Sequence, residues 1–166
     1  MDVNEKIVIT WLQSCKRIFT IPDIEYDNFH SSIDILGVDL LNNEILDIEV
    51  KSKFRITINE SSKKQNGYQH IYKQLSSTKR NEMINKALPN KHKFKVRKIF
   101  ITTKRFLTVN KFEYWVKKFE DDGITIWFFD AIVNDLSQMS LMLNKANDEI
   151  LQTLRMFNQL KKVIKK

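Results

Sequence analysis

The chain holds a single cysteine, Cys15, with three glycines and two prolines in 166 residues. One thiol excludes a disulfide framework and a cysteine-rich zinc or iron-sulfur site. So few glycines leave no phosphate-cradling glycine loop, which needs several at fixed spacing. The histidines, His30, His70 and His92, are scattered without ligand spacing and none neighbours a credible nucleophile. No run of eighteen apolar residues occurs, and the opening MDVNEKIV carries acids where a secretory leader carries bases. The expectation is an intracellular, cytoplasmic protein with no membrane partner. Acid is in deficit too, with 28 Lys and Arg against 20 Asp and Glu, a formal charge of +8. That balance points to an acidic polymer as partner, nucleic acid before a membrane surface. The length suits one domain with a single core.

What is present is concentrated in residues 33–51, IDILGVDLLNNEILDIEVK. Leu46, Ile48 and Val50 alternate with Asp47, Glu49 and Lys51, the period of a strand with one apolar and one polar face. Residues 33–41 form a second β-type run, and Asn42-Asn43 between them is good turn chemistry because Asn tolerates positive φ. A turn centred on those two asparagines sets Asp34 opposite Lys51 and Leu36 opposite Glu49. Asp34 then shares a face with Glu49 and Lys51, whereas Asp39 has the opposite parity and points away with Leu46. A bulge at Gly37 would reverse that parity.

Two carboxylates and a lysine on one face suit a particular chemistry. Carboxylate oxygens are hard ligands for Mg²⁺ or Mn²⁺, which keep several waters and complete their shell with substrate phosphate. A neighbouring lysine orients or deprotonates the attacking water and offsets charge on a pentavalent phosphorus. The alternative is an exposed hairpin whose polar face is wet, with Glu49 and Lys51 as a weak surface pair.

The order Asp34, a hairpin, then Glu49-x-Lys51 between apolar strand residues resembles the PD-(D/E)XK nuclease superfamily. The leading IDILG resembles the form seen in branches similar to Mrr-type restriction enzymes and archaeal Holliday junction resolvases. Ile33 stands where the proline of the family name would be. The resemblance implies that Asp34 and Glu49 are metal ligands, with the Val50 carbonyl as a further one, and that Lys51 is the catalytic lysine. It also implies a Glu on the first helix, for which Glu5 is the candidate, and a Gln and Tyr on the helix after the catalytic strand. Gln69 and Tyr72 occupy that region, at a spacing of three rather than four. The alternative for Glu5 is a helix-dipole partner, for Gln69 a solvated residue and for Tyr72 a core-edge aromatic.

The rest of the chain agrees with the resemblance. Residues 4–17 read as a helix with Val8, Leu12 and Cys15 inward, 67–85 as a helix, 96–103 as a strand, 109–120 as a helix and 124–129 as a strand. The fold class expected is α/β, a restriction-endonuclease-like core in the order helix, β-hairpin, strand, helix, strand, helix, strand, with a long C-terminal helix. The core takes residues 1–130 and the helical extension 131–166.

Lys86, Lys91, Lys93, Lys95, Arg97, Lys98, Lys104 and Arg105 follow one another with no acid among them. From Lys91 to Lys98 they form a candidate phosphate-binding edge, which Lys53, Lys63 and Lys64 beside the catalytic strand would extend. The alternative is a solvated loop and the wet face of a strand. In 131–166, Leu136, Met139, Leu143, Ala146, Ile150, Thr153, Phe157, Leu160 and Ile164 recur at heptad spacing. Either this helix folds back on its own domain or it pairs with a second copy. Pairing is favoured because a homodimer sets two hydrolytic sites on the two strands of a duplex.

The expectation is thus a divalent-metal-dependent nuclease that hydrolyses DNA phosphodiesters on branched or duplex substrates, with Mg²⁺ or Mn²⁺ as cofactor. RNA shares the same cleavage chemistry. A different class of reading is a catalytically silent DNA-binding or assembly protein on the same fold.

Overall fold

The computed structural model describes residues 1–27, 31–52, 67–89, 93–107, 111–142 and 148–164. Helix α1 (Val3–Ser14) starts in a capping box: the Asp2 carboxylate accepts the Asn4 and Glu5 N–H groups, and the Glu5 carboxylate accepts the Asp2 N–H. It buries Val8, Trp11 and Leu12. Strands β1 (Phe19–Asp27), β2 (Ser31–Asp39) and β3 (Glu44–Lys51) follow, then helices α2 (Gly67–Leu75) and α3 (Thr78–Ala87). Strand β4 (Lys95–Thr102), a 3₁₀ turn (Lys104–Leu107), helix α4 (Phe112–Asp121), strand β5 (Ile124–Phe128) and helices α5 (Phe129–Met142) and α6 (Glu149–Ile164) complete the described chain.

One five-stranded sheet runs β1-β2-β3-β4-β5. Its first three strands are antiparallel and its last three parallel, so β3 belongs to both halves. Helices cover both faces, giving a mixed α/β architecture. On one face Ile35, Leu46, Ile48, Val50, Ile99 and Ile101 pack with Val8, Trp11 and Leu12 of α1, Ile132 and Leu136 of α5 and Leu151 of α6. On the other, α2 and α4 cover Phe100 and Ile124, while Ile84 of α3 packs with Leu36 and Ile45.

Four features differ from the sequence reading. Strand β1 precedes the hairpin, where the expected order has none: Pro22 interrupts its pattern, but an edge strand tolerates proline. The helix expected over 67–85 is two helices, separated at Ser76 and Ser77. The hairpin register is shifted by two, because the loop is the four residues 40–43 rather than a two-residue turn. Asp39 holds that loop, its carboxylate accepting the Leu41 and Asn42 N–H groups, and Asn43 takes the left-handed conformation at φ 54°. Leu36 therefore faces Asp47, not Glu49. A shift of two preserves parity, and the ladder runs through Gly37↔Leu46 without a bulge. Gly37 sits in a tight spot: a Cβ there would lie 3.1 Å from Ile18 Cγ2 and 3.2 Å from Leu46 Cβ, so both neighbours would have to give by a few tenths of an ångström.

The fourth difference concerns the C-terminal stretch. In one continuous helix Ser137 and Asn158 would be roughly 31 Å apart. Instead Asn158 Nδ2 donates to Ser137 Oγ at 2.9 Å and to the Ser137 carbonyl at 3.1 Å. Helix α6 therefore folds back on α5, with Asp148 capping its start through the Ile150 and Leu151 N–H groups. The expected seam faces outward at Thr153 and Phe157, while Leu151 and Leu154 turn to the core. Leu143 and Ala146 of that seam lie outside the described residues.

Candidate active site

The polar residues of β3 are not wet. Asp47 and Glu49 are 0% exposed and Asp34 7%, so the exposed-hairpin alternative fails. One step beyond the Ile35↔Ile48 pair, the β2–β3 ladder sets Asp34 opposite Glu49 rather than opposite Lys51. Lys51 closes the group: its ammonium lies 2.6 Å from Glu49 Oε1 and 3.5 Å from Asp34 Oδ2. The Val50 N–H donates to Asp34 Oδ2 at 2.7 Å and fixes that carboxylate. Val50 thus joins the group through its amide hydrogen.

This group stands at the carboxyl end of β3, level with the end of β4, whose Thr102 hydroxyl donates to the Lys51 carbonyl at 2.8 Å. The carboxyl ends of parallel strands are where open α/β sheets place their ligands. Glu5, in its capping box, is near enough to Asp34 to act on its charge. The structure gives Glu5 the capping role. Gln69 is on the exposed side of α2, away from the buried line of Tyr68, Ile71 and Leu75. Tyr72 is half-exposed and stacks on Tyr68.

Two further residues escaped the sequence reading as site members. Arg80, from α3, is fully buried under the hairpin and bridges Asp47 (2.7 Å) and Glu49 (2.9 Å). The signal for Asp47 was its parity with Glu49. Arg80 carries no signal in a helix of mixed charge; only the burial of two acids demands a cation nearby.

Electrostatics record the crowding. Burial and the Glu49 charge push the Asp34 carboxyl up to about 6, against the pull of Lys51 and the Val50 N–H. Burial also raises Asp47, with Arg80 opposing it. For Lys51, burial works to lower the pKa, but Glu49 and Asp34 together outweigh it and the net shift is upward. Against these two carboxylates Lys51 is held as an ammonium, a group that can orient water and offset anionic charge. Lys98, half-buried on this face, is lowered by burial and by Arg80, with Asp47 opposing.

The basic run does not gather here. From Lys95 to Thr102 the strand climbs roughly 23 Å, so Lys93 and Lys95 sit at the far end of the sheet. Arg97 and Lys98 point to opposite faces. Arg97 sits over the Trp127 ring and, with Asp39, lines a cavity of about 500 Å³ on the α1 and α5 side. Among the described residues of the run, Lys104 and Arg105, exposed in the 3₁₀ turn after β4, lie at the site's end of the sheet. Lys53, Lys63, Lys64 and Lys91 are outside the described residues.

Among the described residues no group of three or more His, Cys, Asp and Glu side chains could hold a metal ion. Asp34 and Glu49 are two, which suits an ion that keeps most of its water. The Lys51 ammonium lies against both. Carboxylate oxygens are the hard donors that Mg²⁺ or Mn²⁺ would take.

No protein-family model matches the chain, nor does any curated protein or solved structure. Among the described residues no helix is long and apolar enough to cross a membrane.

Proposed function

We propose that the protein is a divalent-metal-dependent phosphodiester hydrolase acting on DNA, with a PD-(D/E)XK-like site of Asp34, Glu49 and Lys51. The observation that carries this reading is the Lys51 ammonium held between two buried, opposed carboxylates at the carboxyl end of β3. Nothing in folding asks for that arrangement, since burying charges costs free energy that apolar side chains would not.

Asp34 and Glu49 would hold the cation, Glu49 from a carboxylate fixed on its other oxygen by Arg80. Mg²⁺ or Mn²⁺ bound there would supply Lewis-acid stabilisation of charge on the scissile phosphate. Lys51, whose ammonium lies against both carboxylates, would orient the attacking water and offset charge on the phosphate oxygens. Lys104 and Arg105 contact flanking phosphates, and the excess of 28 basic over 20 acidic side chains favours association with the polyanion. A homodimer through the exposed Met156 and Phe157 of α6 would present two such sites to a duplex.

A second reading, a DNA-binding protein without catalysis, is favoured by one observation: both Glu49 oxygens are already engaged by cations. The deciding experiment offers linear duplex, single-stranded, four-way-junction DNA and RNA to the protein with Mg²⁺, Mn²⁺ or chelator, beside a light-scattering mass measurement. Cleavage that requires the metal and is lost in Glu49→Ala supports the hydrolase. Salt-sensitive DNA binding with no cleavage under any metal would overturn it in favour of the second reading. Preference for the junction marks a resolvase.

A further inference from the structure

A guanidinium offers five N–H donors and no acceptor. In Arg80 all three nitrogens are engaged. Nε donates to Asp47 Oδ1 at 2.8 Å, and Nη2 donates to the Ile48 carbonyl at 3.3 Å and lies 2.7 Å from Asp47 Oδ1 as an ion pair. Nη1 donates to Glu49 Oε2 at 2.9 Å and to the Ser32 carbonyl at 3.3 Å. All three ionic side chains are fully buried. A trio of apolar side chains of similar volume would hold α3 to the sheet at least as well, because removing charges from water is costly even when they are paired. What an apolar trio would not do is grip one oxygen of Glu49.

We propose that Arg80 is a positioning residue of the carboxylate site: it fixes Glu49 through Oε2, so that Oε1 is presented toward Asp34 and Lys51. Asp47 aims the guanidinium. It takes the Nε and Nη2 edge on one oxygen, leaving the Nη1 corner to Glu49, and its own Oδ2 has no hydrogen-bond partner among the described residues. The guanidinium can neither slide nor rotate without breaking several bonds at once. Arg80 touches no substrate in this scheme; it acts through Glu49.

The proposal rests on the reading of Asp34 and Glu49 as a metal-holding pair, and its test separates the two. Mn²⁺ binding by calorimetry, DNA cleavage and urea unfolding are measured on the wild type, Arg80→Lys, Arg80→Met and the double variant Arg80→Met/Asp47→Leu. The double variant removes one cation and one anion together, so it is expected to retain the fold, whereas Arg80→Met alone leaves two buried acids without their shared cation. Expected is a loss of about ten- to a hundredfold in Mn²⁺ affinity and in cleavage for the double variant, at an unfolding midpoint near that of the wild type. Arg80→Lys is expected to recover part of both, since it restores the charge without the fork.

A folded double variant with wild-type Mn²⁺ affinity would overturn the positioning role and leave the hydrolase reading standing. A wild type that binds Mn²⁺ without cleaving, with affinity lost in the double variant, keeps the positioning role and removes the hydrolase. A wild type that binds no Mn²⁺ removes both.

Discussion

The two faces of β3 are equally dry and chemically opposite. Leu46, Ile48 and Val50 are buried among α1, α5 and neighbouring strands, while Asp47 and Glu49, one residue away on the same strand, are buried under α3. Burial of the first set lowers the free energy of folding, roughly 1.5–3 kcal/mol per side chain. Burial of the second costs free energy that its pairing only offsets. One face of the strand is therefore accounted for by apolar burial. The other holds α3 through ion pairs, at a cost in desolvation that apolar packing would not carry.

Substitutions on the two faces should separate stability from chemistry. The largest effect is expected from Glu49→Gln: cleavage falls by about a thousandfold, while the Arg80–Asp47 pair remains balanced and urea unfolding shifts little. Cleavage within a few fold of wild type would remove Glu49 from the chemistry. Ile48→Ala should do the reverse, costing about 3 to 4 kcal/mol in urea unfolding with cleavage by the folded fraction unchanged.

Next in size is a pH effect. The folded Asp34 carboxyl titrates at about 6 against an ordinary value of 3.8, so between these pH values the native state holds a proton that the unfolded chain has released. Stability therefore falls as pH rises from about 4 to 6, by about 2 to 3 kcal/mol, and stays lower above that. Asp34→Asn lacks this component; a wild-type-minus-variant difference that is flat across the window would show that burial and Glu49 do not load Asp34 as described.

The smallest change is expected from Asp39→Ala, which removes the acceptor of two loop N–H groups at the far end of the hairpin. It should cost about 1 kcal/mol and leave cleavage intact. A cleavage defect there would mean that the two ends of the hairpin are not chemically separate.

The parity of the hairpin was legible because side chains alternate strictly along a strand. That singled out Asp34, Glu49 and Lys51 over Asp39, and it survived a turn misjudged by two residues because two is the strand period. The turn itself was misjudged because Asn42-Asn43 satisfies a two-residue rule, while the loop is fixed by the Asp39 carboxylate, which spacing does not reveal. Strand β1 was hidden by Pro22 and by Asp23, whose φ of 55° departs from strand geometry. The basic run looked like one surface because charge was counted along the chain. In the sheet the same alternation that gathers the acids sends Arg97 and Lys98 to opposite faces. Arg80 was not legible at all, since a buried cation on a helix is demanded by acids that are distant in sequence.

Helix α3 has two buried residues, Arg80 and Ile84, and no side-chain hydrogen bond at its Ser77 cap. Its attachment to the sheet therefore depends more on ionic contact than that of α1, which is capped at its start and packs four buried residues. Conditions that weaken ion pairs should open α3 before the rest of the sheet unravels, and its amide hydrogens should exchange with solvent at a lower cost than those of β3. Each such opening uncovers Glu49 from beneath. The rate at which α3 breathes then sets how long the carboxylate keeps a single orientation.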